Sequence, residues 1–207
     1  MEFSQLVRER RSVRQYQPGI TITDDELEAI FAEVVLSPSS FNMQHWQFVV
    51  VRDAERKQAL RKLSYGQAQV EQCAAAVLVC GRLDAHLDAD RIYADDSPAT
   101  RDKYVPMIKG VYQDQPALQR EEAIRSGALA AMTLMYAARN RGWDSGPMIG
   151  FDAGKVATLL ELGAHTTPVM LVVIGKAAPE ALAPRAFRRP ISEVVCLESM
   201  SGRRLGG

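Results

Sequence analysis

Two unbroken apolar runs constrain this chain more than any other feature. Residues 75–80 (AAVLVC) and 169–175 (VMLVVIG) are short, valine-rich and closed by glycine. Runs of this length without a polar alternation describe strands covered on both faces. A third strand candidate, 47–52 (QFVVVR), is β-branched and aromatic. A sheet built on such strands needs helices on both sides.

The rest of the sequence supplies them. Thr23-Asp-Asp-Glu26 is a capping box, and Leu27, Ile30, Phe31, Val34 and Val35 follow at the spacing of a one-sided helix. Pro38 stops it by disfavouring helical geometry in Ser37. Residues 2–9 and 54–63 read as further helices. A long helical pattern runs from 119 to 141 and closes at Gly142. Its small residues Gly127, Ala128, Ala130 and Ala131 would admit another helix at close range. Asp152 can cap a helix carrying Val156, Leu159 and Leu160, ended by Gly163. Residues 84–118 mix Asp, Pro, Tyr and Lys without a firm period, and are expected to form an excursion or mobile flap. No repeat or Pro/Ser-rich linker divides the chain, so one domain over residues 1–207 is expected. Its class is α+β, with one central sheet flanked by helices.

Composition excludes several functions. The 25 basic and 25 acidic residues cancel over the 207-residue chain, which leaves no excess for a nucleic-acid or membrane-surface face. No apolar stretch reaches the ~18–20 residues that span a bilayer. The first residues reach charge before a signal-peptide core forms. Cys73, Cys80 and Cys196 share no metal-ligand spacing, and His45, His86 and His165 are scattered, so no metal site is expected. A soluble cytoplasmic protein is the simplest expectation.

Against that neutral background, three stretches stand out. The first, RRSVRQYQPG at 10–19, concentrates Arg10, Arg11 and Arg14 around Ser12. It is either a solvated basic turn or a grip for a phosphate monoester, whose oxygens suit the planar donors of arginine. The second, 37–48 (SPSSFNMQHWQF), sets hydroxyls and amides beside aromatic rings, as a heteroaromatic ligand would need; a polar loop with Trp46 and Phe48 in the core is the alternative. The third, 146–152 (GPMIGFD), is either a tight connection or backbone laid against a ligand. There is no GxGxxG, P-loop, GxSxG or HExxH. A phosphate grip and a ring-sized loop without a triad or metal site place the reactive atoms on a cofactor.

Together with YGQAQVEQCAAAVLVC at 65–80, PVMLVVIGK at 168–176 and FRRPISEVV at 187–195, these stretches resemble the flavin-dependent nitroreductase family in order and spacing. The resemblance covers nearly the whole chain and is greatest to the small bacterial quinone- and nitro-reducing members. It implies the nitroreductase-like fold, a mixed, mainly antiparallel sheet in an intertwined homodimer with FMN at the subunit interface. It further implies hydride transfer from NAD(P)H through FMN to a nitroaromatic, quinone or similar small-molecule acceptor, by a ping-pong route. By position, Arg10, Arg11, Ser12, Arg14 and Arg188 would hold the FMN phosphate and ribityl chain. Pro38, Ser39, Ser40 and Asn42 resemble the loop that reaches the flavin from the partner subunit. Met148, Ile149 and Gly150 would lie by the ring, with the Ile149 N–H facing N5. Gln67 and Gln69 would meet the pyrimidine edge, and Phe41, Trp46, Tyr104 and Tyr112 are the aromatic candidates for the substrate face. The chain departs from the family pattern in having Ile149 where Glu is common and His45 where Pro is frequent. Gly66 and Gln69 also stand where Asn or Lys occurs in other members. Two alternatives remain open: another flavin reaction on this scaffold (dehalogenation, ene reduction), or FMN binding without turnover, as a store or redox sensor.

Overall fold

The computed structural model describes residues 1–182 and 184–206. At its centre lie β1 (Trp46–Val51), β2 (Ala75–Arg82), β3 (Asp144–Met148) and β4 (Thr166–Gly175), in the order β1-β2-β4-β3. Every neighbouring pair is antiparallel. A single parallel bridge, Ser12 to Ser145, lies outside those strands among the described residues.

The two apolar runs are the central strands β2 and β4, paired with each other. Their side chains alternate between two cores: Val77, Val79, Val172 and Ile174 face one, and Ala76, Leu78, Leu171 and Val173 face the other. All eight are fully buried, and each valine, leucine or isoleucine contributes roughly 1.5–3 kcal/mol by leaving water. An unbroken apolar run therefore means a strand with no wet face.

The first core is closed by α2 (Asp24–Val34) and α7 (Pro116–Asn140), through Leu27, Ile30, Val34, Ala130, Ala131, Leu134 and Ala138. The capping box of α2 is complete: the Thr23 hydroxyl accepts from Glu26 N–H at 3.2 Å, and the Glu26 carboxylate accepts from Thr23 N–H at 2.9 Å. α7 starts three residues earlier than the periodicity suggests, and Gly142 follows its end with φ of +76°. α7 packs on both α2 and the sheet, with its small residues Ala130 and Ala131 in that core. A Cβ on Gly127 would lie 2.8 Å from Val169 Cγ2, and one on Gly81 would lie 2.6 Å from the Ala123 carbonyl oxygen. Gly127, Ala130 and Ala131 thus bring α7 down onto the sheet of its own chain, and among the four only Ala128 is exposed.

The second core is closed by α3 (Ala54–Leu63), α4 (Gln69–Gln72) and α8 (Ala153–Leu159), through Leu60, Val70 and Val156. On the opposite side of the sheet, α1 (Phe3–Glu9) meets α7 through an edge-on contact of Phe3 with Tyr136, centroids 5.9 Å apart.

Residues 84–118 are largely helical: a short 3-10 turn at Ala85–Asp88, α5 (Ala89–Ile92) and α6 (Pro98–Tyr112). Ser97 caps α6, its hydroxyl accepting from Thr100 N–H at 3.2 Å, with Pro98 in the first turn. Ala85, Ala89, Val105, Ile108 and Tyr112 form a third small core with Met43. Two histidines line it. His45 Nδ1 shares a hydrogen bond with Ser126 Oγ at 3.2 Å, and the His86 ring stacks on Tyr112 with centroids 5.7 Å apart. Burial holds both imidazoles below their ordinary pKa, against the opposing pull of Glu122 on His45 and Asp84 on His86. The final short helix, α9 (Ile191–Val194), lies in an exposed C-terminal tail.

Two outcomes follow. Gly81→Ala should lower the unfolding free energy by about 1–3 kcal/mol, because an added methyl meets backbone that cannot yield. An unchanged urea midpoint would contradict this β2–α7 approach. Because both histidines titrate lower when folded, their contribution is complete above about pH 6.5 and declines as the pH falls below it. The urea midpoint should therefore drop between pH 7 and 5.5, and drop less in His45→Asn; equal slopes would remove His45 from the account.

Candidate active site

The arginine turn begins where α1 ends. From Ser12 the chain runs beside β3, with Val13 N–H donating to the Ser145 carbonyl at 3.0 Å. Val13 and Tyr16 are buried, whereas Ser12 and Arg14 face outward. Two glycines make this approach possible. A Cβ on Gly146 would lie 2.4 Å from the Val13 carbonyl oxygen, and one on Gly175 would lie 2.6 Å from the Tyr16 ring. The Tyr16 hydroxyl donates towards the Val13 carbonyl at 3.2 Å. The segment is thus fixed by its apolar side and presents its polar side.

On that polar side, positive charge accumulates. Burial lowers the Arg10 pKa; Tyr136 opposes that, and Arg185, Arg188 and Arg11 lower it further. The early and late guanidinium groups therefore lie within electrostatic reach of one another. Arg10 Nη1 is buried and has no hydrogen-bond partner. Among the described residues, no carboxylate lies within ion-pair distance of Arg10, Arg14, Arg185 or Arg188. Glu9, the nearest acid in sequence, pairs with Arg139 at 3.1 Å and also receives Gln5. Unrelieved like charge beside a buried donor favours an anion.

At the other end of β3, the third stretch meets residues 65–69. Gln67 Nε2 donates to the Gly150 carbonyl at 2.8 Å, and Gln69 Nε2 donates to Gln67 Oε1 at 3.1 Å. Gln69 also approaches Met148 Sδ at 3.7 Å. Gln67, Gln69, Met148 and Gly150 are therefore together, and the Ile149 side chain beside them is 77 % exposed. From Ser145 to Gly150 is five residues of extended chain, about 16 Å at strand rise. An arginine-rich end and an amide-lined end are joined by one edge strand, β3. Its Gly-Pro interior hides it from any reading by period, and Pro147 is tolerated because an edge strand needs no hydrogen bond on its outer side.

The loop at 37–44 is strained. Phe41, Asn42 and Gln44 have φ of 51°, 56° and 49°, a region that non-glycine residues seldom occupy. Side chains from distant elements hold it there. Ser37 Oγ donates to Thr133 Oγ1 at 2.9 Å, Tyr93 Oη to the Phe41 carbonyl at 3.2 Å, and Tyr112 Oη to Ser40 Oγ at 3.0 Å. Ser39 Oγ accepts from Gln44 N–H at 2.8 Å. Backbone strain held this firmly is a feature of functional loops. Pro38 and Asn42 are exposed. No hydrogen bond, ion pair or ring contact joins Pro38, Ser39, Ser40 or Asn42 to Arg10, Ser12, Arg14 or Arg188 within the described residues of one chain.

The aromatic candidates divide. Phe41 and Tyr104 are half-exposed, with Tyr104 stacked on Tyr93 at 5.9 Å. Trp46 stacks on Phe48 at 6.1 Å, keeps its buried Nε1 unpartnered, and lines a cleft of about 330 Å³ with Met43, Gln44, Arg82 and Asp88. Tyr112 is corrected: it is 2 % exposed, covered by His86 and Phe41, and serves as a core residue that anchors Ser40. The residue passed over was Arg185, although three arginines within five residues (185, 188 and 189) were visible in the sequence. Cys73 and Cys80 are not reactive thiolates; burial pushes them up to about 11 and about 12. No helix of the described residues is long and apolar enough to cross a membrane, and no group of His, Cys, Asp and Glu among them could hold a metal ion.

The chain as a whole is similar to known proteins. Residues 7–176 fit the model of the nitroreductase family. MhqN of Bacillus subtilis (strain 168), provisionally named an NAD(P)H nitroreductase, is 37 % identical over 201 residues, 94 % of this chain and 98 % of MhqN. The conjugated-linoleic-acid (CLA) biosynthesis enone reductase of Lactiplantibacillus plantarum is 32 % identical over 87 % of this chain and 88 % of its own. The crystal structure of ydfN from Bacillus subtilis, provisionally called a nitroreductase, superposes with a TM-score of 0.90 at 36 % identity, covering 93 % of this chain and 97 % of that one. A provisionally assigned nitroreductase from Exiguobacterium sibiricum 255-15, crystallised in complex with FMN, superposes at 0.87 with 33 % identity, covering 94 % and 96 %. With a family model spanning most of its length and relatives this similar end to end, the chain belongs to the nitroreductase family.

Proposed function

We propose that this chain is an FMN-dependent NAD(P)H oxidoreductase acting on nitroaromatics, quinones or related acceptors. The observation that carries this reading is the convergence of Arg10, Arg11 and Arg188 around a buried, unpartnered Arg10 donor. A phosphate monoester supplies the missing acceptors and about −1.5 to −2 charges.

The residues present fit the cofactor along its length. Arg10, Arg11, Ser12, Arg14 and Arg188 hold the phosphate and ribityl chain. Gln67 and Gln69 present amide donors and acceptors to the pyrimidine edge. The backbone at Met148, Ile149 and Gly150 lies beside the ring, and a side chain on Gly150 would crowd Gln67 Nε2 at 3.0 Å. When bound, FMN would supply the redox chemistry, hydride transfer between NAD(P)H and the acceptor. The chain itself orients the ring, places hydrogen-bond donors along it and holds positive charge near it. No side-chain nucleophile is required.

Pro38, Ser39, Ser40 and Asn42 of the partner subunit complete the site in this reading. Their separation from the arginine turn within one chain supports it, as do the exposed Leu36, Phe187 and Met200, at 79 %, 79 % and 84 %. A homodimer would cover them. The likeness to an enone reductase favours activated C=C bonds as a second acceptor class.

The purified protein should be yellow, bleach anaerobically with NADH or NADPH, recover with a quinone, and give parallel double-reciprocal lines. A protein that retains FMN but is reduced far more slowly than turnover would be a flavin-binding protein instead. One that takes up no FMN would end the proposal. Subunit mixing tests the shared site. Arg10→Ala and Asn42→Gly homodimers should each be impaired, and refolding them together should restore about a quarter of wild-type activity, since half the dimers are mixed and each has one intact site. No recovery would place both segments in a site made by one chain.

A further inference from the structure

Arg185 is tied to the chain in an unusual way. Its Nη2 lies 3.3 Å from the Val7 carbonyl oxygen, 2.5 Å from that of Arg8 and 3.3 Å from that of Arg10. These carbonyls sit at and just past the C-terminal end of α1, where the last turn of a helix leaves acceptors without intrahelical partners. The same end carries the negative pole of the helix dipole, which favours a cation. No carboxylate pairs with Arg185 among the described residues. The guanidinium closes α1 from a distance of about 175 residues in sequence.

That contact has a consequence three residues later. Arg188 reaches Arg10 electrostatically, although it belongs to an exposed tail without a core of its own. Among the described residues, Arg188 Nη1 donates only to the neighbouring carbonyls of Ala186 and Phe187, at 3.1 and 2.9 Å, so these contacts do not attach it to the arginine turn. The attachment nearest to it is Arg185.

We propose that Arg185 is a positioning residue for phosphate recognition: by capping α1 through three backbone carbonyls, it fixes the C-terminal tail so that Arg188 stands beside Arg10. This rests on the reading of the arginine cluster as the FMN phosphate site. Arg185 Nη2 is spent on main-chain oxygens, and in this proposal its effect on the phosphate passes through Arg188. All three contacts are made by the one nitrogen Nη2. A lysine ammonium also offers its donors from one nitrogen, but its stem ends one bond short of that position, so it meets these acceptors less well.

The test compares FMN with riboflavin, which lacks the phosphate, by fluorescence titration of apoprotein. Wild type should prefer FMN strongly. Arg185→Met should weaken FMN about tenfold, the scale of one charge-assisted contact, with riboflavin affinity unchanged. Arg185→Lys should fall between the two. Because Arg185 acts through Arg188, Arg185→Met combined with Arg188→Ala should cost little more than Arg188→Ala alone. A merely structural role would lower both ligands together and shift the melting temperature without changing their ratio. If wild type discriminates but Arg185→Met keeps the full ratio, or if the two variants add independently, the positioning role is overturned and the phosphate site stands. If wild type does not distinguish FMN from riboflavin, the phosphate site falls and this role falls with it.

Discussion

The close seating of residues 12–16 against the β3–β4 edge is the constraint on which the site depends. It rests on backbone hydrogen bonds at both ends, Val13 N–H to the Ser145 carbonyl and Ala178 N–H to the Gln15 carbonyl, and on two glycines that leave room for it. Val13 and Tyr16 point inward and are buried, so Ser12 and Arg14 must point outward. A side chain at Gly146 or Gly175 would lift the segment from the sheet and move the arginines with it. Packing density therefore sets the position of the charge: the interior tolerates a displacement of a few tenths of an ångström poorly.

The second organising feature is a division of labour between rigid and strained parts. The central strands and α7 are largely apolar on their covered faces, with Ser126 of α7 a buried exception bonded to His45. The loop at 37–44 does the opposite. It keeps three non-glycine residues in left-handed geometry, with an energetic cost offset by hydroxyls from Thr133, Tyr93 and Tyr112. The helices of 84–118 thus act on the site at a distance: Tyr93 and Tyr112 belong to that segment, and their hydroxyls hold the conformation of Ser40 and Phe41.

Legibility followed the physics of each element. β2, β4, α2 and most of α7 were readable because burial imposes a period or an unbroken apolar run. β3 was not, because Asp-Ser-Gly-Pro-Met has neither; it is a strand because β4 offers it hydrogen bonds. In α6 the charges at 101–103 and Pro106 obscured the face made by Val105, Ile108 and Tyr112, although Ser97-Pro98 marks a helix start. Gly127, Ala130 and Ala131 signal close approach to a helix, and in the fold α7 meets both α2 and the sheet, with Gly127 set against Val169 of β4.

The sequence by itself determined the arginine cluster, the two central strands, the capped helix and the family to which the chain belongs, since these depend on residue identity and near-neighbour spacing. Only the tertiary structure decided that Arg185 closes α1, that Gln67 and Gly150 meet, and that Tyr112 is a buried anchor instead of an open ring. The reason is common to all three. Each contact joins residues more than 70 positions apart, and no local preference encodes which distant carbonyl or hydroxyl will stand opposite when the sheet closes.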